Sequence, residues 1–433
     1  MNYTHYPTRI ALCSLLATTL FSQTLFPVSP GPELFPDRVI LTWAADPAST
    51  MAVTWRTSIE AGKPLLEWAV ADDGPLFVKN TRRVAGVSQK LSSDSGDAQY
   101  HSVQLTALEP ATLYVYRVGD GTYWSEWQHF RTAARKPDPL TFIYFGDAQH
   151  ELMSMWPRVI RMAYRHAPDA SFLIHAGDLI NNRSGAQDAE WGQWFRAAGW
   201  LLGTVPSIPA AGNHEYPRRG TLPKVITPHW RAQFTLPENG VLGLEESNYF
   251  LDLQGVRIIS LNSSEKQSEQ AAWLDHVLTK NPQKWTVLAF HHPLHSSMKG
   301  QDNKELREMW EPVIDKHKVD LVFQGDEHSY ARSNLVTSRD VRSGHTIYVV
   351  SVGGPQMYEV ATKPWMHKSA EDTQLFQVIR VDGDRLAFES RTARGELYDS
   401  FVLHKGKGGN KLVNGKGMPE RRRTNTTPPS ASR

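Results

Sequence analysis

Five short polar blocks between residues 146 and 328 carry side chains of the types that bind metal ions. Carboxylate, amide and imidazole groups are ligands that divalent and trivalent cations accept. An apolar run precedes each block and predicts a strand, so the blocks lie on loops at strand ends, where open α/β sheets bind ligands. Five such blocks in series indicate a site for two metal ions. They read G-D-A-Q (146–149), G-D-L-I-N (177–181), G-N-H-E (212–215), F-H-H-P (290–293) and G-D-E-H (325–328).

In these blocks and their order, the chain resembles the calcineurin-like metallophosphoesterase superfamily, and within it the purple-acid-phosphatase-like branch. The family signature is D-x-[HG], G-D-x-x, G-N-H-[ED], a lone His and G-H-x-H. The resemblance implies an α/β fold, a four-layer α/β/β/α sandwich, and a metal-dependent phosphoric ester hydrolase. It also implies two metal ions as cofactors, drawn from Fe, Zn or Mn.

The resemblance assigns a role to each polar residue. Asp178 would bridge the two ions, and His214 would protonate the leaving oxygen or stabilise the phosphoryl charge. A hydroxide held by the metals would attack phosphorus in line, without a protein nucleophile. Asp147 and His328 would complete the first metal site. Asn213 and His291 would complete the second, with His292 as the alternative to His291.

Three positions depart from the family pattern. Asn181 stands where purple acid phosphatases have the tyrosine that binds ferric iron and gives the colour. Gln149 stands where the wider superfamily has a histidine, and we expect its carbonyl oxygen to complete the first metal site of a protein that is not purple. Asp326 replaces the first His of G-H-x-H. It is either an adapted ligand of the second metal or a sign of a weakened site.

Further residues near the blocks are candidates for supporting roles. His295 and Arg183 could bind the substrate phosphate, although a structural role is at least as expected for His295 and a solvated loop position is favoured for Arg183. Glu215 is predicted to support the ligands rather than bind metal.

The N-terminal segment predicts export. Arg9 precedes an apolar run of about twelve residues, which is too short to cross a bilayer but typical of a secretory signal. We expect a signal peptide at residues 1–24 and a secreted or periplasmic protein, with an uncleaved anchor as the alternative. The single cysteine, Cys13, lies in this run, so the mature protein would have no disulfide. Elsewhere the sequence predicts no membrane span.

Residues 35–133 predict an all-β sandwich. Short strands such as Met51 to Trp55, Leu65 to Val70 and Leu113 to Val118 alternate with turn residues over about a hundred positions. This segment resembles a fibronectin type III domain, which precedes the catalytic domain in larger purple acid phosphatases. Lining one side of the active-site mouth would be a secondary role for it.

Residues 139–404 predict the catalytic domain, in which strands alternate with helices near Trp156 to His166, Asp188 to Gly199 and Ser268 to Leu278. Strands are expected again after Thr346. Residues 405–433 are basic and rich in Gly, Asn, Thr, Pro and Ser, so we expect a disordered tail.

The net charge of +2 over 433 residues gives no reason to expect a nucleic-acid partner. The favoured function is hydrolysis of phosphomonoesters by a secreted phosphatase. One alternative is a phosphodiesterase acting on nucleotides or lipid head groups. The other is a binding protein with a metallophosphoesterase fold that has lost turnover.

Overall fold

The structure, a computed structural model, describes residues 31–341 and 343–423. The predicted signal peptide therefore lies outside the described residues. Within the described ranges, every helix is too short or too polar to cross a membrane.

The N-terminal part is an all-β domain, as predicted. Its strands pair into two antiparallel sheets, in the orders β1-β2-β6-β5 and β4-β3-β7-β8. Their inner faces bury aromatic and aliphatic side chains such as Trp55 and Tyr116. The strands are β1 (Asp37–Thr42), β2 (Met51–Ser58), β3 (Leu65–Val70), β4 (Arg82–Ala85), β5 (Val87–Ser93), β6 (Gly96–Leu105), β7 (Leu113–Gly119) and β8 (Gln128–Arg131).

The second part alternates strands and helices and then ends in strands. Its elements are β9 (Leu140–Phe145), α1 (Trp156–His166), β10 (Phe172–His175), α2 (Asp188–Ala198), β11 (Ser207–Pro209), α3 (Pro228–Gln233), β12 (Tyr249–Leu253), β13 (Val256–Ser260), α4 (Gln267–Thr279), β14 (Trp285–Ala289), α5 (Lys304–Lys316), β15 (Leu321–Gln324), β16 (Tyr330–Ser333), β17 (Ile347–Val350), β18 (Met366–Ala370), β19 (Leu375–Asp382), β20 (Arg385–Thr392), β21 (Leu397–Gly406) and β22 (Gly409–Asn414).

Two seven-stranded sheets form the middle of a four-layer α/β/β/α sandwich. Their orders are β11-β10-β9-β19-β20-β21-β22 and β12-β13-β14-β15-β17-β16-β18. The sheets pack face to face, since Tyr144 on β9 stacks on Phe323 on β15 with ring centroids 4.2 Å apart. Helices α1 and α2 belong to the core of the first sheet, and α4 and α5 to that of the second. The predicted fold class is confirmed.

Apolar spacing explains why these helices dock. Helix α1 buries Trp156, Val159, Ile160 and Ala163, which recur every three or four residues on one face. Because the remaining positions are mostly polar, one face packs on the sheet and the other meets solvent. Trp156 packs edge-on against Phe145 at the carboxyl end of β9, with ring centroids 4.9 Å apart, directly before the first polar block.

The prediction of a disordered tail is wrong for residues 405–414. β22 pairs with β21 from Phe401↔Asn414 to Gly406↔Gly409 and becomes the edge strand of the first sheet. Such a strand needs little apolar surface, because its backbone is paired by the neighbouring strand. Further on, Arg423 forms an ion pair with Asp372 at 3.0 Å. Residues 424–433 lie outside the described part.

A buried ionic network joins the N-terminal domain to the α/β part. Asp188, at the start of α2, accepts hydrogen bonds from Arg38 Nη1 and Nη2 at 2.8 Å each and from Arg56 Nη1 at 3.1 Å. Tyr100 Oη and His229 Nε2 contact the same carboxylate at 3.1 and 3.2 Å. Burial would raise the pKa of Asp188. The hydrogen bond from His229 and the charges of Arg38 and Arg56 outweigh burial and lower that pKa below its ordinary value.

Candidate metal centre

The five polar blocks meet at the carboxyl ends of five strands. β9, β10 and β11 run parallel in the first sheet, and β14 and β15 run parallel in the second. Because the carboxyl ends of parallel strands share one edge, the loops converge. Gly212 shows how close they come, since a Cβ atom there would lie 2.2 Å from Asp178 Oδ1. Glycine is therefore required at this position.

The first set of ligand atoms belongs to Asp147, Asp178 and His328, which all lie within 4.8 Å of one another. Gln149 Nε2 lies 2.9 Å from Asp178 Oδ2 and 2.7 Å from His328 Nε2, so this side chain is within the set. Burial lowers the pKa of His328 to about 4. The imidazole is therefore neutral at physiological pH, as a metal ligand must be.

The second set is centred on His291. Its Nε2 atom lies 2.9 Å from Asn213 Oδ1, 3.2 Å from Asp178 Oδ2 and 3.6 Å from Asp326 Oδ1. The other ring nitrogen, Nδ1, lies 2.9 Å from the Ala176 carbonyl oxygen, which fixes the orientation of the ring. Asp178 thus belongs to both sets.

Although burial lowers it, the pKa of His291 is raised well above its ordinary value by Asp178, Asp326 and Asp147, so three aspartates share one nearby imidazolium. Burial raises the pKa of Asp147 well above its ordinary value; the charge of His291 opposes this, while the carboxylates of Asp178 and Asp326 add to it. Within residues 31–341 and 343–423, no lysine or arginine forms an ion pair with these three aspartates. Buried carboxylates of this kind need a cation to offset their desolvation.

One orphaned polar atom also fits a metal ion. Gln149 Oε1 is buried without a hydrogen-bond partner in the described part of the chain. A flip of the Gln149 amide would place its oxygen where Nε2 now lies, between Asp178 and His328. Carboxylate, amide and imidazole donors together suit divalent cations. The residues present therefore fit the predicted ions.

His214 lies beside the shared aspartate. Its backbone N–H donates to Asp178 Oδ1 at 2.9 Å, and its Nε2 atom lies 3.7 Å from Asp178 Oδ2. Its Nδ1 atom forms a short hydrogen bond with the Asn181 carbonyl oxygen. Because that carbonyl can only accept, Nδ1 carries the proton and Nε2 is the atom left to act at the cluster.

Glu215 holds the second and third polar blocks together. Its Oε2 atom accepts from the backbone N–H groups of Asp178 at 2.9 Å and Gly212 at 2.7 Å, and its Oε1 atom accepts from Leu179 at 2.9 Å. Burial, together with the negative charge of Asp178, raises the pKa of Glu215 to about 7. Its oxygens are directed at backbone donors, in agreement with the predicted supporting role.

The two residues expected to bind substrate lie in different places. Arg183 follows the second block, and its Nε atom is 3.4 Å from the Tyr216 carbonyl oxygen at the edge of the site. His295 is not brought to the ligands. Its Nε2 atom lies 2.8 Å from Glu311 Oε1 on α5, and its ring packs against Tyr348 and Trp365. A substrate contact for His295 has no support in this arrangement.

Two residues with aromatic rings at the cluster were not predicted from the sequence. The Tyr358 ring stacks on the His328 ring with centroids 4.4 Å apart and an interplanar angle of 2°. The His150 ring meets the same His328 ring edge-on, with centroids 6.0 Å apart. His150 had a possible signal, because it lies one position beyond the expected histidine. Tyr358 had none, because its loop follows β17 without a motif.

Comparisons with known proteins agree with this geometry. Residues 36–132 match the purple acid phosphatase N-terminal domain, and residues 125–330 match the calcineurin-like phosphoesterase family. An uncharacterized protein of Mycobacterium tuberculosis is 28% identical over 338 residues, covering 68% of this chain and 61% of that protein. Purple acid phosphatase 21 of Arabidopsis thaliana is 27% identical over 340 residues, covering 76% of this chain and 73% of that protein.

A solved structure extends the likeness to the fold. The purple acid phosphatase from yellow lupin (Lupinus luteus) seeds superimposes with a TM-score of 0.72 at 20% identity, covering 86% of this chain and 74% of that one. A metallophosphoesterase is the class of protein that this fold and cluster define. With both parts of the sequence matched, the chain belongs to the purple-acid-phosphatase-like branch of the calcineurin-like phosphoesterases, a family of metal-dependent phosphoric ester hydrolases.

Proposed function

We propose that the protein hydrolyses phosphate monoesters at a site for two metal ions. The observation that carries this proposal is the position of Asp178. Its Oδ2 atom lies 2.9 Å from Gln149 Nε2 and 3.2 Å from His291 Nε2, so one carboxylate contacts both ligand sets. A carboxylate between two ligand sets is the arrangement that a two-metal site requires.

The residues divide into two groups around that carboxylate. Asp147, Gln149 and His328 would hold the first ion, and Asn213, His291 and Asp326 the second, with Asp178 between them. When bound, the ions would supply Lewis acidity and lower the pKa of water. They are divalent or trivalent ions such as Fe, Zn or Mn. Without a tyrosine at position 181, we expect no intense visible absorption band.

His214 is the proton donor in this proposal. With Nδ1 engaged by the Asn181 carbonyl, a protonated imidazole presents Nε2–H to the leaving oxygen of the ester. The backbone bond from His214 to Asp178 fixes the donor relative to the shared ligand. Arg183, at the edge of the same site, would add positive charge toward the phosphate.

Whether the native site is fully active or weakened depends on whether Asp326 serves as a metal ligand. Its Oδ1 atom reaches the second ligand set, and its backbone N–H donates to both carboxylate oxygens of Asp147 at 3.0 Å. This supports an adapted ligand, and we expect Asp326→His to lower hydrolysis. A variant with higher activity would instead favour a weakened native site.

The test is elemental analysis of the purified protein combined with turnover of an aryl phosphate monoester and diester. The proposal expects about two metal ions per chain and faster hydrolysis of the monoester. Faster hydrolysis of the diester would favour the phosphodiesterase. Bound metal without turnover of either ester would favour a binding protein.

We also propose that the protein is exported to the periplasm or the medium. The proposal is supported by the apolar run after Arg9, and the absence of any cysteine after Cys13 means that the mature chain would tolerate an oxidising compartment. Cell fractionation followed by mass spectrometry of the N-terminus tests it. Recovery of the intact chain from the cytoplasm would contradict it.

A further inference from the structure

A cavity beside the metal centre is lined by none of the residues to which the proposed hydrolysis assigns a role. Its volume is about 800 Å³, within the range of pockets that hold small organic molecules. Its lining is partly apolar, with Val225, Ile226 and Leu244, and partly cationic, with Arg218 and Arg219. Gln89 on β5 also lines it, so the N-terminal domain contributes to its wall.

The cavity shares its wall with the metal centre. Ser184 and Gly185 continue the loop that carries Asp178, and Tyr216 to Arg219 continue the loop that carries Asn213 and His214. The two loops are tied together, since the Arg218 backbone N–H donates to the Arg183 carbonyl oxygen at 2.7 Å. A molecule with its phosphate at the metal ligands could therefore extend into this cavity.

The arginines of this wall lack carboxylate partners. Among the described residues, Arg183, Arg218 and Arg219 take part in no ion pair within 4.0 Å, whereas Arg231 of the same cavity pairs with Glu246 at 3.0 Å. Burial lowers the pKa of Arg183, and the charge of Arg218 lowers it further, while the carboxylates of Asp178 and Glu215 oppose that change. Arg183 is therefore within electrostatic range of Asp178 and Glu215 as well as of Arg218.

We infer that the cavity binds the alcohol part of the ester, and that this part carries a second phosphate on a carbon body. The apolar residues would contact the carbon atoms, and Arg218 and Arg219 would bind the second phosphate. Arginine suits this task because its planar group donates two parallel hydrogen bonds to phosphate. The inference rests on the proposed function and specifies its substrate class as bisphosphates.

The test compares linear diol bisphosphates of increasing chain length with the alkyl monophosphates of the same length. In the unaltered protein, kcat/KM per phosphate group should favour the bisphosphate by about tenfold at the best length, because exposed charges are partly screened by solvent. Added salt should reduce this preference. Equal kcat/KM values at every length would overturn the inference.

The decisive variant is Arg218→Gln combined with Arg219→Gln. Both side chains are exposed, so the fold should survive the change. The preference for bisphosphates should fall to about one, while Arg161→Gln, at an exposed position on α1, should retain it. A preference that persists in the double variant would assign it to another surface.

Binding separates this inference from the proposed hydrolysis. If no ester is hydrolysed, the proposed function fails, but calorimetric titration with the same bisphosphates still measures their binding to the cavity. Binding should then weaken by about tenfold in the double variant and stay constant in Arg161→Gln. Equal affinity in all three proteins would reject the cavity as a phosphate site.

Discussion

Asp178 and Asp188 are both buried carboxylates, and their surroundings differ in one respect. Asp188 is surrounded by Arg38, Arg56 and His229, so the protein itself supplies the opposite charge. Asp178 is surrounded by further acids and by neutral donors, with His291 as the nearest group that can carry positive charge. The chain itself neutralises the charge of Asp188, whereas the carboxylates around Asp178 need added cations for charge balance.

The difference separates a structural region from a functional one. A buried ion pair with its own partners holds two domains together and needs nothing from solution. Burying a group of carboxylates without an opposite charge destabilises the folded state, and bound metal ions would remove that cost. The pKa directions alone do not separate the two aspartates, since burial is outweighed by His291 and His214 at Asp178 as it is by His229, Arg38 and Arg56 at Asp188, and both pKa values are lowered. Within the metal cluster it is the pKa of Asp147 that burial raises.

The largest expected effect is on catalysis, from Asp178→Ala. Because Asp178 belongs to both ligand sets, its removal should release metal from both and reduce kcat/KM on the order of a thousandfold. Elemental analysis and phosphate release measure the two effects. Retention of both metals with normal turnover would show that Asp178 is not the shared ligand.

Asp188→Asn should affect stability instead. Removing this charge leaves Arg38 and Arg56 buried with reduced compensation, at a cost of roughly 3–5 kcal/mol in the free energy of unfolding. Denaturant unfolding measures the loss, and metal content and kcat/KM of the folded fraction serve as controls. A stable variant without metal would reverse the assignment of the two aspartates.

Metal removal should destabilise the unaltered protein by an amount comparable to that of Asp188→Asn. Ions present at about a hundred times their dissociation constant contribute about 2.7 kcal/mol per site. Treatment with a chelator should therefore lower the melting temperature of the unaltered protein, but have little effect on Asp178→Ala. If both proteins lost the same amount, the chelator would be acting elsewhere.

The smallest expected effect is a difference in pH dependence. Asp188 has a lowered pKa, so its contribution is present above the ordinary value of about 4 and is lost as the pH falls below it. Glu215 has a pKa raised to about 7, so its own contribution to stability is lost as the pH rises from about 4.5 to about 7. Buried histidines whose pKa is lowered, such as His175 and His328, contribute in the opposite direction over the same range.

Denaturant unfolding across this pH range, for the chelated protein and for Asp188→Asn, measures the direction of both changes in stability with pH. The difference between the unaltered protein and Asp188→Asn should shrink below about pH 4. The stability of the chelated protein relative to chelated Glu215→Gln should fall between about pH 4.5 and about pH 7, and a relative stability that rises there would contradict the raised pKa of Glu215.

Local sequence patterns predicted which polar side chains come together at the strand ends. Asp147, Asp178, Asn213, His291 and His328 were expected at strand ends, and the structure brings them together there. Gln149 and Asp326 also reach the cluster, although the family pattern has other residues at both positions. Such inference works because strand periodicity and parallel pairing set the direction of each loop.

Other features depended on contacts between distant segments. His295 looked like a phosphate ligand, but Glu311 on α5 engages its ring. The tail looked too polar to fold, but β21 provided a strand edge for β22. The stacking of Tyr358 on His328 could not be predicted from sequence motifs either.

The sequence by itself determined the fold class, the order of the ligand loops and the residue types at the metal centre, because periodicity and short motifs are local properties. Only the tertiary structure decided which buried aspartate is neutralised by the chain and which is left for cations. It also decided where the arginines after the second and third blocks lie. Charge balance depends on all groups within a few ångströms, and residues far apart in the sequence supply those groups.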